Sequence, residues 1–401
     1  MRILDVNNSY SPVGGGIRVY EHRKMDHFSR TGEHSFALAA PHIDPGKVSL
    51  SGATVYHCDS VPLLDSGYRV SLSSGPFLSA INDFRPDIIE IGSPWVLPSI
   101  VRRVIGSDSI ATVGFFHTNY PESYIRPLAE RLLPPGVARF LFDLSVRSVY
   151  RTYSRMDAVF CASRKLLDGL HRAGLRRLFH TPLGVDAEVF APSRRSQAFR
   201  AGLGAGDSRK LVLYLARLHS EKGIDLLMEA YPLFRDPSSI VLAIGGHGPA
   251  EGRVREFTAR YPEVRRIGYL DGRHAMAEAM ASSDVFLSLG PFETFGLAGL
   301  EAMASGTSTL FPDIGAGAEM AALAGVLPPY EHRSAESLSD GIKRAIALDR
   351  EQTSQELRDC AKGMDWTTVF RREEKFYRIV LDAVQRNALD ALIPTERWWE
   401  Y

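Results

Sequence analysis

Short apolar and β-branched runs alternate along the chain with longer stretches in which apolar side chains recur every three or four positions. The runs predict strands over residues 2–6, 35–39, 54–58, 88–91, 111–116, 158–161, 211–215, 240–244, 266–269, 285–289 and 308–311. The periodic stretches predict helices over 17–31, 76–84, 98–105, 137–155, 164–173, 224–234, 251–261, 275–282, 299–305, 335–348 and 367–387. Strand and helix in alternation imply parallel sheets covered on both faces. The pattern opens at Arg2 and opens afresh at Leu211, each time running into a glycine-containing loop and a helix. Between them, residues 190–210 are rich in Ala, Ser, Arg, Gly and Pro and read as a linker. The expectation is an α/β chain of two Rossmann-like, doubly wound domains, 1–195 and 205–384. They are expected to face each other across a cleft lined by the carboxyl ends of their strands. The tail from about 385 to 401, ending in a Trp- and Tyr-rich segment, is expected to pack back on the first domain.

Composition leaves this picture intact. The 401 residues are 45% hydrophobic and 23% charged, with a formal net charge of zero, so the molecule as a whole gives no argument for nucleic acid. The distribution is uneven. Residues 1–205 carry 24 Lys and Arg against 18 Asp and Glu, and the remainder carries 23 against 29. Residues 126–177 alone hold 11 basic and 4 acidic side chains, a basic surface on the first half. Cys58, Cys161 and Cys360 are scattered and odd in number, without metal-ligand spacing, which fits a reducing cytoplasm. The opening MRILDVNN reads as a strand rather than a leader, and no apolar run approaches bilayer-spanning length. The expected location is cytoplasmic, with any membrane contact peripheral.

The candidate chemistry centres on residues 291–306, PFETFGLAGLEAMASG. Glu293 follows a predicted strand, Gly296 permits a tight turn, and a helix starting near Leu297 carries Glu301. Backbone amides of residues 295–298 at a helix start can bind phosphate oxygens. The carboxylates can accept hydrogen bonds from sugar or ribose hydroxyls. On spacing alone, a loop carboxylate and a solvated helix residue would account for the pair. Glu301 nevertheless sits in an apolar, Ala-rich helix start, where a carboxylate is costly without a partner.

This segment resembles the signature of the family 4 glycosyltransferases of GT-B fold, which transfer sugars with retention of anomeric configuration. The resemblance extends over most of the chain. It includes YLARLHSEKG at 214–223, IGGHGP at 244–249, 268–270, 281–289, LGVDAEVF at 183–190, the glycines at 14–16 and the histidine of FFHTNYP, His117. It implies that Arg217 and Lys222 hold the donor diphosphate, where fixed cations stabilise charge growing on the leaving group. It further implies that Glu293 contacts the donated sugar and Glu301 the ribose. The Phe295, Gly296, Leu297 and Ala298 amides would touch sugar and phosphate, and Tyr269 and Leu270 would read the base. Gly15 and Gly16 would let backbone approach the diphosphate, and His117 would hydrogen-bond near the reacting centre. Beside these roles stand plainer ones: a solvated cation pair, an ordinary turn, a structural histidine.

Two departures from the family pattern stand out. The loop at 313–319 reads DIGAGAE where the family often has a Gly-Gly pair before a Glu, and no Asp-x-Asp follows a strand. The family implies no metal and no further cofactor, with side-chain cations and helix ends in the metal's place. The donor implied is a nucleotide sugar, GDP-mannose first and UDP-glucose, UDP-galactose or UDP-sulfoquinovose as alternatives.

The acceptor side is read from residues 134–155, PPGVARFLFDLSVRSVYRTYSR. Arg147, Arg151 and Arg155 recur every four positions beside Phe140, Leu141, Phe142, Val146, Val149 and Tyr150. One reading is an amphipathic helix on an anionic membrane surface, serving a lipid or glycan acceptor; the other is a core helix with a solvated Arg face. Further readings are a different sugar-nucleotide enzyme such as an epimerase or phosphorylase, an NAD-binding protein lacking a full G-x-G-x-x-G, and a non-catalytic sugar-nucleotide-binding protein.

Overall fold

All eleven strands read from the apolar runs form. The computed structural model describes residues 1–11, 15–62, 69–93 and 110–392. In the first unit the strands are β1 (Arg2–Val6), β2 (Ser35–His42), β3 (Gly46–Leu50) and β4 (Ala53–Asp59), then a short ribbon of β5 (Val61–Pro62) and β6 (Arg69–Val70). They continue with β7 (Ile88–Ile91), β8 (Ala111–Phe115), β9 (Ala158–Cys161) and β10 (Leu178–His180). One sheet runs β10-β9-β8-β7-β1-β2-β4-β3. Its pairings are parallel except β3 on β4. Strands covered on both faces read as unbroken apolar runs, and Ile3, Leu4, Ile88, Ile89 and Ala111 are fully buried. The edge strand β3 was not expected. Its GKVSL is exposed throughout, so it carries no core signature and is specified by pairing with β4.

The second unit carries β11 (Lys210–Leu215), β12 (Ile240–Gly245), β13 (Arg265–Gly268), β14 (Val285–Leu287) and β15 (Ser308–Leu310) in the all-parallel order β13-β12-β11-β14-β15. Both sheets therefore reverse their winding beside their first strand. That reversal, between β1 and β7 in one unit and between β11 and β14 in the other, is where the loops of an open α/β sheet diverge and leave a crevice.

The helices at Arg126–Leu132, Gln197–Gly202, Gly315–Ala324 and Arg350–Lys362 add to those expected. The last shows why they escape a periodicity search. REQTSQELRDCAK is polar, and only Thr353, Leu357 and Ala361 are buried, one narrow stripe at four-residue steps. The expected helix at 98–105 and the Trp-rich segment at 393–401 lie outside the described residues.

The division of the chain differs from the expected one. The units are Met1–Pro182 with the chain from Val369 onward, and Leu183–Thr368. The expected linker at 190–210 is built into the second unit. Arg200 is 2% exposed, and its guanidinium donates to Asp284 Oδ2 at 2.9 Å and to the carbonyls of Ser282, Gly206 and Arg209 at 2.8 Å each. Burial alone would raise the Asp284 carboxyl, but the Leu211 amide and Arg200 hold it below its usual range. A segment fixed by guanidinium hydrogen bonds has the composition of a linker and none of its freedom.

The return to the first unit also comes earlier than residue 385, inside the helix Trp366–Gln385. Phe370, Phe376, Tyr377 and Val380 are buried there. Phe376 lies 5.0 Å from Phe179 and 6.0 Å from Phe160 between ring centroids. With them comes a charge. Lys24, fully buried, donates to Asp5 Oδ2 at 2.7 Å, to Tyr377 Oη at 2.7 Å and to Tyr20 Oη at 2.9 Å. It also pairs with Glu373 at 2.9 Å and Glu90 at 3.1 Å. Burial pushes the Asp5 and Glu90 carboxyls up. Burial alone would lower Lys24, yet Asp5, Glu373 and Glu90 together raise it, so the ammonium stays charged.

Candidate active site

The loops after β11 and β14 sit on either side of the second unit's winding reversal, and the motif residues are on them. After β11 the chain turns at residues 216–219, makes a 3-10 turn over Ser220–Lys222, and enters the helix Ile224–Phe234. Gly223 joins turn to helix with φ +77°, and a Cβ there would sit 2.6 Å from the Leu289 Cβ and 2.7 Å from its carbonyl oxygen. Only glycine lets the two loops approach so closely. The turn is pinned from within by Tyr214, whose hydroxyl donates to the Lys222 carbonyl at 3.0 Å. After β14, Glu293 comes back across the reversal, and its Oε1 accepts from Lys222 Nζ at 2.6 Å. Both side chains keep nearly a third of their surface in water, 28% and 30%. Burial works against the Lys222 charge, but Glu293 outweighs it and raises the ammonium above its ordinary value.

Arg217 comes to the same loop but is taken by Glu221, four residues on in its own turn. The two expected cations thus arrive each with a carboxylate, and the i,i+4 spacing of Arg217 and Glu221 was the sequence signal for it. The arrangement offers two cations and a partly exposed carboxylate acceptor at the rim of a parallel sheet.

The IGGHGP turn clasps this loop from the β12 side. The Leu218 amide donates to the His247 carbonyl at 3.0 Å. At Gly246, φ is +123° and a Cβ would fall 1.8 Å from the Ala216 carbonyl oxygen. We expect Gly246→Ala to push the Arg217 loop off the sheet and to lower stability by more than about 1 kcal/mol. Urea unfolding checks it, and an unchanged midpoint would contradict the close packing. The Gly246 amide in turn donates to the Gly268 carbonyl at 2.7 Å. This sets Tyr269, exposed, and Leu270, half-buried, at the outer end of the sheet.

Phe295 is buried, and Gly296 is the N-cap of the helix Leu297–Ala304, whose first turn has no side-chain cap. The amides of Leu297 and Ala298 therefore stand at a helix start, as anticipated. Glu301, further along that helix, is 3% exposed and does have the partner its surroundings demand. Arg273 Nη1 lies 3.4 Å from its Oε1, and the Arg273 guanidinium rests 4.9 Å above the Phe190 ring. Sequence reasoning missed Arg273, which opens a helix and carries no motif of its own.

The remaining expected residues belong to the first unit. Gly15 caps the helix Gly16–Thr31 after β1, with φ +93°; Gly14 lies outside the described residues. His117 follows β8, its ring parallel to Phe115 at 4.0 Å and edge-on to Tyr20 at 4.9 Å. Burial, helped by the Lys24 charge, pushes its imidazole down to about 3, so the ring is neutral at physiological pH. A neutral imidazole offers one N–H donor and one acceptor. Tyr20 lies on the helix that Gly15 caps, so the first unit sets His117 against that helix, next to the Lys24 cluster. Burial also pushes Glu21, on the same helix, up to about 7; its Oε1 accepts from Asn7 Nδ2 at 2.9 Å.

The family models fall on the two halves of the chain. Residues 14–189 match the model described as Glycosyltransferase Family 4, and residues 196–363 the model described as Glycosyl transferases group 1. The chain belongs to the group 1, family 4 glycosyltransferases of GT-B fold. This glycosyltransferase is 28% identical over 368 residues to a GDP-mannose-dependent alpha-(1-6)-phosphatidylinositol dimannoside mannosyltransferase of Mycobacterium tuberculosis, covering 90% of this chain and 91% of that one. A GDP-mannose-dependent alpha-mannosyltransferase of Corynebacterium glutamicum is 28% identical over 321 residues, 79% of this chain and 73% of its own. Among solved structures, the sucrose-phosphate synthase of Thermosynechococcus elongatus superposes with a TM-score of 0.77 at 16% identity, covering 96% of this chain and all of that one. At that identity the likeness speaks for the fold alone. Among the described residues, no helix of the glycosyltransferase is long and apolar enough to cross a membrane.

Proposed function

We propose that the glycosyltransferase moves mannose from GDP-mannose, with retention of configuration, to a lipid-linked acceptor at the cytoplasmic face of a membrane. The observation that carries this reading is the near-complete alignment to a mannosyltransferase named for a phosphatidylinositol dimannoside. The pairing of Lys222 with Glu293 supplies the chemistry. A donor diphosphate displaces the carboxylates from the two cations. Lys222 and Arg217 then face the phosphates, while Glu293 turns to the sugar hydroxyls and accepts their protons in hydrogen bonds. The bond from the anomeric carbon to the diphosphate oxygen breaks, and the bond to the acceptor hydroxyl oxygen forms on the same face. The acceptor proton passes to the departing diphosphate, so no protein nucleophile is required. The cations stabilise charge that is greatest as that bond breaks. The neutral His117 serves as a hydrogen-bond partner near the reacting centre, Glu301 meets the ribose beside Arg273, and Tyr269 and Leu270 flank the base. The cations do this work in our reading without a metal.

A thermal-shift panel of GDP-, UDP- and ADP-sugars tests the donor. Occupancy at a hundred times Kd adds about 2.7 kcal/mol of apparent stability. GDP-mannose is expected to give the largest shift and to be consumed with a phosphatidylinositol mannoside acceptor. A larger shift with a UDP-sugar, and turnover of it, would replace mannose by glucose, galactose or sulfoquinovose in this reading.

A further inference from the structure

The helix Pro135–Tyr153 and its predecessor Arg126–Leu132 form a hairpin held at its base by Arg126. The Arg126 guanidinium sits 4.1 Å above the Phe142 ring and pairs with Glu122 at 3.0 Å. Only Ala129, Ala138, Val149, Thr152 and Tyr153 of the two helices are buried. The opposite side is unusual for a surface. Of the fifteen large hydrophobic side chains exposed among the described residues, seven lie between positions 128 and 144. They are Leu128, Leu132 and Leu133 at the end of the first helix, and Val137, Phe140, Leu141 and Leu144 on the second. Phe140 and Leu132 are 64% and 66% exposed. Positions 137, 140, 141 and 144 are spaced by three and four, so they share one face of the helix. Arg147 and Arg151 continue that face by another two turns. Arg131, Arg139 and Arg155 are exposed around it, and none of these five arginines makes an ion pair with a described residue.

We propose that this hairpin is the element that docks the glycosyltransferase on an anionic lipid bilayer. Phe140, Leu144 and the leucines at the hairpin turn enter the interface, and Arg147 and Arg151 lie among the headgroup phosphates. Two features select a bilayer as the occupant. The apolar face is built from exposed side chains of one helix, Val137, Phe140, Leu141 and Leu144. The cations that continue and flank it, without an ion-pair partner among the described residues, match a plane of negative charge. Amphipathic helices of this composition lie in the interfacial plane with the apolar face inserted. Buried apolar area and headgroup attraction act together, the latter worth about fivefold in affinity per Arg or Lys. The purpose, access to a lipid-linked acceptor, rests on the proposed function; the docking itself does not.

The test is co-sedimentation of the full chain with phosphatidylcholine vesicles, with and without phosphatidylinositol. Binding is expected only to the anionic vesicles and is expected to weaken with salt. Arg147→Gln with Arg151→Gln should lower it about thirtyfold. Phe140→Ser with Leu144→Ser should lower it about tenfold or more. All four positions are exposed, so the variants keep the fold, and both should transfer sugar to a short-chain soluble acceptor as the parent does. Vesicle binding without any sugar transfer would sink the proposed function and leave the docking standing. The docking proposal is overturned if the parent fails to bind anionic vesicles, or if both variants bind as tightly as the parent. It is equally overturned if light scattering shows a dimer that Phe140→Ser with Leu144→Ser dissolves, without vesicle binding.

Discussion

Glu293→Ala is expected to lower sugar transfer by about 100- to 1000-fold or more, the range seen when a fixed partner of the reacting centre is removed, while leaving thermal stability nearly unchanged. The two halves of this expectation have separate physical sources. Glu293 keeps 30% of its side chain in water and pairs with an equally accessible Lys222. A half-exposed pair of that kind contributes about 0–1 kcal/mol to the fold. Its removal costs the site much more. In the proposed mechanism the donor loses the carboxylate that meets its hydroxyls, and Lys222 loses its ion-pair partner. Glu293→Gln keeps the shape and removes the charge, so it separates hydrogen bonding from electrostatics. Turnover of Glu293→Ala near that of the parent, with any donor, would remove Glu293 from the mechanism.

Lys24→Met is expected to do the reverse of this, at a distance from any motif. It deletes the cation that pairs with Asp5, Glu90 and Glu373, all within 3.1 Å of the ammonium. Carboxylates left buried without their partner cost about 3–5 kcal/mol, a large part of a typical stability margin. The chain should unfold in urea at a clearly lower midpoint, starting with the first unit. Adding Asp5→Asn and Glu373→Gln to Lys24→Met should recover part of the loss, since neutral groups replace the stranded charges. An unchanged midpoint for Lys24→Met alone would mean that Asp5 and Glu90, whose carboxyls burial pushes up, do without the ammonium.

These two cases mark what the sequence shows and what it hides. The strands were legible because a strand buried on both faces must be apolar almost throughout, as IIEI at 88–91 is. The same passage held the hint that was missed. Glu90 in the middle of such a run, and Asp5 in RILDV, are too costly to bury alone, so a cation had to meet them. Which cation could not be read, because Lys24 belongs to a helix whose polar residues look like a solvated face, and Glu373 is remote in the chain. The loop chemistry divides in the same way. Lys222, and Glu293 with the Gly296 turn, stood out because they lie in two motif segments, 214–223 and 291–306. Arg273, which meets Glu301, carries no motif of its own until the fold brings it in. The apolar, arginine-rich hairpin was half legible. The arginine repeat showed in the sequence, but only burial tells an exposed Phe140 from a core Val149.

The Lys24 cluster also imposes an order on the birth of the molecule. The second unit is one continuous stretch of chain, and everything it needs emerges from the ribosome in a single pass. The first unit is not. Tyr20 and Lys24 are made early, and Glu373 and Tyr377 come 353 residues after them. At about 5–20 residues per second this is a wait of roughly 20–70 s. Throughout it, Phe160 and Phe179 lack their cover and the ammonium lacks one of its three counter-ions. The half of the enzyme translated first is therefore the half completed last.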